Sequence, residues 1–205
     1  MLNKFILSVS VFTLFVSVGF AQTTATEDYN KNEFFVGYSH QRDKPNSLNG
    51  FEVSGVRNVN RYFGIKGDFS AGFRNQTFTG SVTAGATTTT FPIRSKTQVY
   101  NFLGGVQVKD NRTTSRFKPF AHALVGVGVG RFRNRAESCP TGTNCGDLRF
   151  VNDTRAGFAG AFGGGLDIKI NDRIDYRAIQ VDYNPIYLDT GFRNNVRFGV
   201  GIVFK

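Results

Sequence analysis

The last twelve residues of the chain, Asn194 to Lys205, read NNVRFGVGIVFK. Large apolar side chains occupy one parity of this stretch: Val196, Phe198, Val200, Ile202 and Phe204. The other parity holds Arg197, Gly199, Gly201 and Val203. A repeat of two predicts a β-strand with one bulky apolar face and one small or polar face.

The same alternation recurs through the chain and predicts seven further strands. They lie near residues 33–39, 50–57, 61–78, 99–109, 120–133, 154–169 and 174–184. A strand at the end of a chain needs a partner on both edges to avoid aggregation, and closure of the sheet provides one. We therefore predict an all-β fold, an eight-stranded antiparallel transmembrane up-and-down β-barrel over residues 33–205, with its apolar face in lipid.

The predicted connections alternate in length. Long loops are expected at residues 40–49, 79–97, 134–153 and 185–194, and short turns at residues 58–60, 110–118 and 171–173. Strand 3, at about seventeen residues, is long for a soluble strand, in which ~5–6 residues are usual. This length is typical of a tilted membrane strand that continues into solvent.

The composition favours strands over helices and gives a basic chain. The 205 residues include 22 Phe and 24 Gly, 40% are hydrophobic, and the formal net charge is +10. Removal of Lys4 with the leader described next lowers that charge by one, to +9. The basic residues are scattered over many segments, whereas a nucleic-acid site usually shows a clustered footprint, so no nucleic-acid partner is expected.

The N-terminus has the pattern of a signal peptide. Lys4 precedes an apolar run from Phe5 to Phe20, and Gly19-Phe20-Ala21 fits a small-x-small cleavage site. The alternative, a retained anchor, is disfavoured because a spanning helix needs ~20 apolar residues. We expect residues 1–21 to be removed and residues 22–32 to form a flexible N-terminal segment.

The polar parity of the strands is predicted to line the barrel interior. An eight-stranded barrel has an interior that side chains just fill, which favours glycines and charges that compensate each other. A soluble exterior would carry more Lys and Glu and fewer glycines. The predicted charge network, structural in role, comprises Glu52, Lys66, Asp68, Arg74, His122, Asp167, Gln180, Asp182 and Arg197. The four acids are expected to pair with Lys66, Arg74 and Arg197.

Two cysteines, Cys139 and Cys145, lie in the stretch CPTGTNC. Export to an oxidising compartment favours a small disulfide across a loop tip. The competing interpretation is a metal site, but zinc would need two more ligands and no histidine lies nearby.

The sequence contains no convincing set of catalytic groups, and we expect neither an enzyme nor a cofactor. Ser39 and His40 are adjacent in a strand and therefore point to opposite faces. His122 lies on the interior parity and is interpreted as a packed histidine. Two glycine runs, at residues 126–130 and 163–165, lack the Lys-Ser/Thr and the helix of a phosphate-binding loop.

The chain resembles the small eight-stranded outer-membrane β-barrel family, the OmpA-type β-barrel domain. The segments that carry the resemblance are FFVGYS, VNRYFGIKGDFS, PFAHALVGVGVG, FGGGLDIKINDRI, IQVDY and RFGVGIVFK. The resemblance implies a location in the bacterial outer membrane of a Gram-negative cell, with both termini periplasmic. Many relatives carry a C-terminal peptidoglycan-binding domain, but the predicted barrel accounts for residues 33–205, and we do not expect that function.

The resemblance also implies insertion by the outer-membrane assembly machinery, which reads a terminal strand ending in an aromatic residue. Phe198, Val200, Ile202 and Phe204 would form that signal, with Lys205 after it.

Three functions follow from this interpretation. The first is a structural or interaction barrel, expected to be a monomer, that presents external loops at the cell surface. The second is a narrow porin-like channel for small solutes, and the third is a soluble exported lipocalin-like binding barrel. Outer-membrane lipid and lipopolysaccharide are expected partners, because basic residues recur in the predicted loops and can bind phosphates.

Overall fold

The computed structural model is a closed barrel of eight antiparallel strands in sequence order, which confirms the predicted fold class. It describes residues 29–43, 46–84, 86–112, 114–136, 152–188 and 191–205. The signal peptide at residues 1–21, residues 22–28 of the predicted N-terminal segment and the pair Cys139 and Cys145 lie outside the described residues. Within the described part, no helix is both long and apolar enough to cross a membrane.

The strands are β1 (Asn32–Asp43), β2 (Asn46–Asn58), β3 (Phe63–Ala84), β4 (Thr87–Lys109), β5 (Phe117–Ala136), β6 (Asn152–Lys169), β7 (Ile174–Leu188) and β8 (Gly191–Phe204). β8 pairs with both β7 and β1, which closes the sheet, as the pattern of the last twelve residues predicted. β1 begins one residue before the predicted start, and the carbonyls of Asn30 and Lys31 accept hydrogen bonds from Asn58.

Both ends of the described chain and three turns lie at one end of the barrel, called the turn end below. The described residues of the turns are 59–62, 110–112 with 114–116, and 170–173. Arg61 of the first turn donates two hydrogen bonds to Asp110 of the second, at 3.0 and 2.9 Å, and the backbone N–H of Arg112 donates a third. These hydrogen bonds hold the pKa of Asp110 below its usual value, and those from Arg61 have the larger effect on it.

The opposite end, called the hairpin end below, differs from the prediction. The segments predicted as loops at residues 40–49, 79–97 and 185–194 are largely strand, because β1, β2, β3, β4, β7 and β8 all continue through them. β3 and β4 have 22 and 23 residues and stay paired as far as Ala84 and Thr87. Three of the four predicted long loops are therefore wrong, while the fourth, at residues 134–153, lies mostly outside the described residues. A polar Thr-rich composition is compatible with a loop, but threonine is β-branched and favours strands.

The side chains alternate between the outer wall and the barrel interior. Phe34, Ile65, Phe102, Val127 and Phe198 are all exposed, and Ile65 is 60% and Phe102 54% accessible. Asp68 and Arg197, in contrast, are 5% and 0% accessible. An apolar surface this extensive exceeds what soluble monomers expose, so the outer wall is built to meet an apolar phase.

One irregularity changes which side chains of β7 lie inside. The register between β6 and β7 shifts at Leu166/Asp167, and on β7 it shifts between Arg177 and Gln180. Ala178 is the additional residue of this β-bulge, so Asp175 and Arg177 on one parity and Gln180 and Asp182 on the other are all buried. Strict alternation would have placed Arg177 on the outer wall.

Candidate functional site: the barrel interior and its mouth

Arg197 on β8 is the centre of one buried ionic cluster. Its guanidinium donates to Asp68 at 2.9 Å and to Asp182 at 2.7 Å, and Glu52 lies 3.6 Å away. Gln180 donates to Glu52 at 2.9 Å and to Asp182 at 2.8 Å, which ties the acids together. β2, β3, β7 and β8 thus meet at one point inside the barrel.

His122 and Lys66 extend this cluster toward β5 and β3. Lys66 Nζ lies 3.9 Å from Glu52 Oε1 and 3.3 Å from His122 Nδ1. His122 Nε2 lies 2.8 Å from Asp182 Oδ1. His122 Nδ1 is within hydrogen-bond distance of the ammonium group, whereas Nε2 makes no hydrogen bond despite its short contact with the carboxylate. His122 therefore has the surroundings of a packed interior histidine.

Arg177 on β7 is the centre of a second buried cluster nearer the turn end. It donates to both oxygens of Asp167, at 2.8 and 3.2 Å, and to Gln180 at 2.7 Å, so Gln180 joins the two clusters. Lys109 lies between Glu33 and Asp167. Two further lysines, Lys118 and Lys205, surround Asp175 at 3.6 and 2.6 Å.

The glycines of the interior parity make room for the two rings that enclose Arg177. Its guanidinium carbon lies 4.3 Å from the centroid of Phe35 and 4.0 Å from that of Phe120, a double cation–π arrangement. A Cβ at Gly37 or Gly201 would lie within 2.9 Å of the Phe35 ring, and one at Gly165 would lie 2.9 Å from the Phe120 ring. Side chains at these three positions would displace the rings.

The charges buried in the described interior balance. There are six acids (Glu33, Glu52, Asp68, Asp167, Asp175 and Asp182) and six cations (Lys66, Lys109, Lys118, Arg177, Arg197 and Lys205). Many of these side chains are 0–1% accessible, so no water-wide passage runs beside them. The remaining interior is filled partly by an apolar cluster of Leu103, Leu124, Ala159, Ala161, Ile186 and Leu188, packed against Val99.

The structure brings together eight of the nine residues predicted for the interior network. Arg74 is the exception, because it is half-buried nearer the hairpin end and has no carboxylate partner among the described residues. The expected pairing of Arg74 with an interior acid is therefore wrong. Cys139 and Cys145 lie outside the described residues, and their disulfide stays a prediction.

Sequence reasoning missed six members of the network: Glu33, Lys109, Lys118, Asp175, Arg177 and Lys205. Strand parity was a usable signal for Lys109, which shares the parity of Asn101 and Gln107. The positions of Asp175 and Arg177 depend on the bulge at Ala178, for which the sequence contains no clear signal.

The two histidines lie on different faces of the barrel wall, His122 in the interior and His40 outside. Ser39 is buried inside while His40 lies on the outer wall, 2.7 Å from Asn49, as predicted from their adjacency. Among the described residues, no set of three or more His, Cys, Asp or Glu side chains is placed to hold a metal ion.

The terminal strand places Phe198, Val200, Ile202 and Phe204 on the outer wall. All are exposed or half-buried, and the strand pairs with β1 from Phe34↔Phe204 to Arg42↔Val196. The residues of the predicted C-terminal assembly signal thus form one continuous apolar surface of β8.

Structural comparison finds similarity to small outer-membrane barrels, the resemblance that the sequence motifs suggested. Ail, the attachment invasion locus protein of Yersinia pestis, solved in complex with the heparin analogue sucrose octasulfate, is 17% identical, with a TM-score of 0.49 over 84% of this chain and 96% of Ail. Neisserial surface protein A is 13% identical, with a TM-score of 0.45 over 85% of this chain and 95% of that protein. The N-terminal β-barrel domain of Pseudomonas aeruginosa OprF is 8% identical, with a TM-score of 0.40 over 86% of this chain and 99% of that domain.

No protein-family model and no curated sequence matches the chain. With structural identities and TM-scores this low, the fold assignment rests on the strand pairing of the chain itself.

Proposed function

We propose that the chain is a bacterial outer-membrane protein that acts by presenting its hairpin end outside the cell, with both termini in the periplasm. The observation that carries this proposal is the combination of an apolar outer wall with a charge-balanced, filled interior. A lipocalin-like soluble barrel would need the reverse arrangement, with its apolar side chains inside. Binding rather than catalysis is proposed, because the histidines have no nucleophile or metal partner among the described residues.

The filled interior favours an interaction role over the porin-like alternative. A conducting pore needs a water-filled path, whereas Glu52, Gln180, Asp182 and Arg197 are each 0% accessible. We expect the purified full chain to give no stable conductance steps in a planar lipid bilayer. Replacing Arg197 and Gln180 with alanine should open a space and produce steps. Regular steps from the unmodified chain would support the channel instead.

The hairpin of β3 and β4 is the proposed interaction element. β3 pairs with β2 only as far as Phe73, and from Arg74 to Ala84 it pairs with β4 alone among the described residues. This free edge is uncharged from Asn75 to Ala84, without lysine or proline. Natural proteins usually protect free edges with such residues, because an open edge recruits a further strand. The corresponding edge of β4 does contain Pro92. An extended polypeptide that adds to the β3 edge is the partner this geometry fits.

Amide hydrogen exchange tests the edge directly. In native outer-membrane vesicles, amides of residues 75–84 should exchange more slowly than in the purified chain in nanodiscs of the same lipids. Thr77→Lys with Thr79→Lys should abolish that difference, since charge on an edge opposes strand addition. The matched control, Thr88→Lys with Thr90→Lys on β4, should leave it. Equal exchange in vesicles and nanodiscs would eliminate the edge as an interaction site.

Contact with lipopolysaccharide phosphates is proposed for the outer wall toward the hairpin end. Lys96 on β4 lies directly opposite Arg133 on β5, and Arg131 lies one pair further along, over the ring of Tyr100. Like charges opposite each other in a sheet are destabilising, and bound phosphates would relieve the repulsion. Added lipopolysaccharide should raise the melting temperature of the chain, and Lys96→Gln with Arg133→Gln should remove that increase; an unchanged increase would refute the contact.

Insertion by the outer-membrane assembly machinery and a monomeric state complete the proposal. The exposed apolar surface of β8 supports the first, and closure of the barrel within one chain supports the second. Phe204→Ala should slow the appearance of the heat-modifiable folded form in cells, while refolding of the purified chain proceeds at its usual rate. Slow formation of the folded form in cells together with slow refolding of the purified chain would instead indicate a defect in folding.

A further inference from the structure

The hairpin end of the barrel contains a cavity that is separate from the ionic clusters of the filled interior. It has a volume of about 280 Å³, and a smaller, more enclosed recess of about 30 Å³ adjoins it through shared lining residues. The lining side chains Leu48, Arg74, Thr97, Phe132 and Arg193 come from the inward-facing parity of five strands. The cavity is therefore part of the barrel mouth and is separated from bilayer lipid by the wall.

The mouth combines an apolar floor with a cationic rim. Leu48, at 3% accessible, and Leu188, at 4%, lie at its base with Phe132 and Ile186. Arg74 and Arg193 both line the larger cavity, and no acid among the described residues does. The guanidinium of Arg193 lies 5.8 Å from the centroid of Phe132, so the charge is placed next to the apolar surface.

Two polar groups of the mouth are left without partners inside the described protein. Each of the six buried interior cations has a carboxylate within ion-pair distance, but Arg74 has none. Asn195 lines the enclosed recess, is 1% accessible, and its side-chain oxygen accepts no hydrogen bond. Of these two groups the Arg74 guanidinium is the one that matches an anion, because a guanidinium only donates hydrogen bonds, whereas the amide oxygen of Asn195 needs a donor.

We propose that the mouth binds a small water-soluble anion that carries an apolar group, such as an aryl or short alkyl phosphate. The apolar group would lie on Leu48 and Phe132, and the anion would accept hydrogen bonds from Arg74 and from the nearby Ser95 and Thr97 hydroxyls. A cavity of this size is just below the usual range for small-molecule sites, which limits the ligand to a single ring or a short chain. This site is independent of the β3 edge and of membrane contacts.

Phenylphosphate is a suitable probe, because it has one ring and one phosphate and stays in water. In a titration of the full-length chain in nanodiscs followed by NMR, we expect saturable shifts of residues lining the mouth. Inorganic phosphate has the anion without the ring, and benzyl alcohol has the ring without the anion. Each should therefore bind more weakly than phenylphosphate by about tenfold or more. Equal affinity for inorganic phosphate would overturn the proposal, since it would leave the apolar floor without a role.

The variant Arg74→Gln tests the anion contact. It should weaken phenylphosphate binding by about tenfold, the scale of one lost charge-assisted hydrogen bond. Arg42→Gln, which removes the same charge from the exposed outer face of β1 near the hairpin end, should leave binding unchanged. The heat-modifiable gel mobility of both variants reports that the barrel is folded. Absence of saturable binding to the unmodified chain, or equal binding by Arg74→Gln, would refute the site.

Discussion

At the scale of single residues, the stability of the barrel depends on arginines that each hold several acids. Arg197 contacts Asp68, Asp182 and Glu52, all nearly inaccessible to water. Removal of one partner from a buried ion pair is strongly destabilising because the remaining charge is left uncompensated. Arg197 is therefore expected to contribute strongly to the stability of the closed interior.

Arg197→Met should lower the free energy of unfolding by about 3–5 kcal/mol, the range for a broken buried pair. Adding Asp182→Asn to that variant should recover part of the loss, because it removes one of the uncompensated acids. Urea unfolding in a fixed detergent or lipid measures both effects. Arg57→Met is the matched control, since Arg57 is exposed on the wall and should change stability by no more than about 0.5 kcal/mol. An Arg197→Met variant as stable as the control would refute this role.

At the scale of elements, β7 shows where prediction from sequence succeeds and where it fails. The alternation of Ile179, Val181 and Tyr183 with Gln180 and Asp182 predicts both the strand and its faces. It contains no signal for the bulge at Ala178, because a bulge depends on pairing with the neighbouring strands and not on the local sequence. Arg177 could therefore not be placed inside by parity.

Deletion of Ala178 tests the bulge. Arg177 and Gln180 are both interior but three residues apart, so loss of the additional residue leaves them two apart, and strict alternation then keeps both side chains inside. Deletion of Val181, from the regular part of the strand, instead rotates Gln180 and Arg177 to the outer wall, where an arginine costs about 2–4 kcal/mol at the midplane and less near the interface. We expect the Ala178 deletion variant to form the heat-modifiable folded species and the Val181 deletion variant to fail. Loss of the folded species in the Ala178 deletion variant would contradict the assignment of Ala178.

The hairpin end is a second element that the sequence did not predict correctly. The stretch from Thr79 to Thr97 is polar and contains glycine, a composition that predicts a loop. In the structure, cross-strand hydrogen bonds continue from the barrel, and the β-branched threonines fit a strand that is solvated on both faces. Composition alone does not separate such a hairpin from a loop.

At the scale of the whole molecule, sequence alone was sufficient for the strand number, the antiparallel order and the outward apolar face. Those features follow from a repeat of two that extends through most of the chain. The second ionic cluster around Arg177 was not predictable because it depends on the bulge at Ala178, and the cavity of the mouth was not predictable because its walls are largely strands where the sequence predicts loops. The central claim is that the apolar wall contacts hydrocarbon while the ionic network is enclosed.

Magnetisation transfer from lipid chains to protein methyl groups tests that claim most directly. For the chain in nanodiscs, we predict cross-peaks from acyl methylenes to the outward methyls of Ile65, Val106, Val127 and Val200. The inward methyls of Leu103, Leu124 and Val203 should show none. Cross-peaks to the inward set, with outward methyls in contact with water, would contradict the claim.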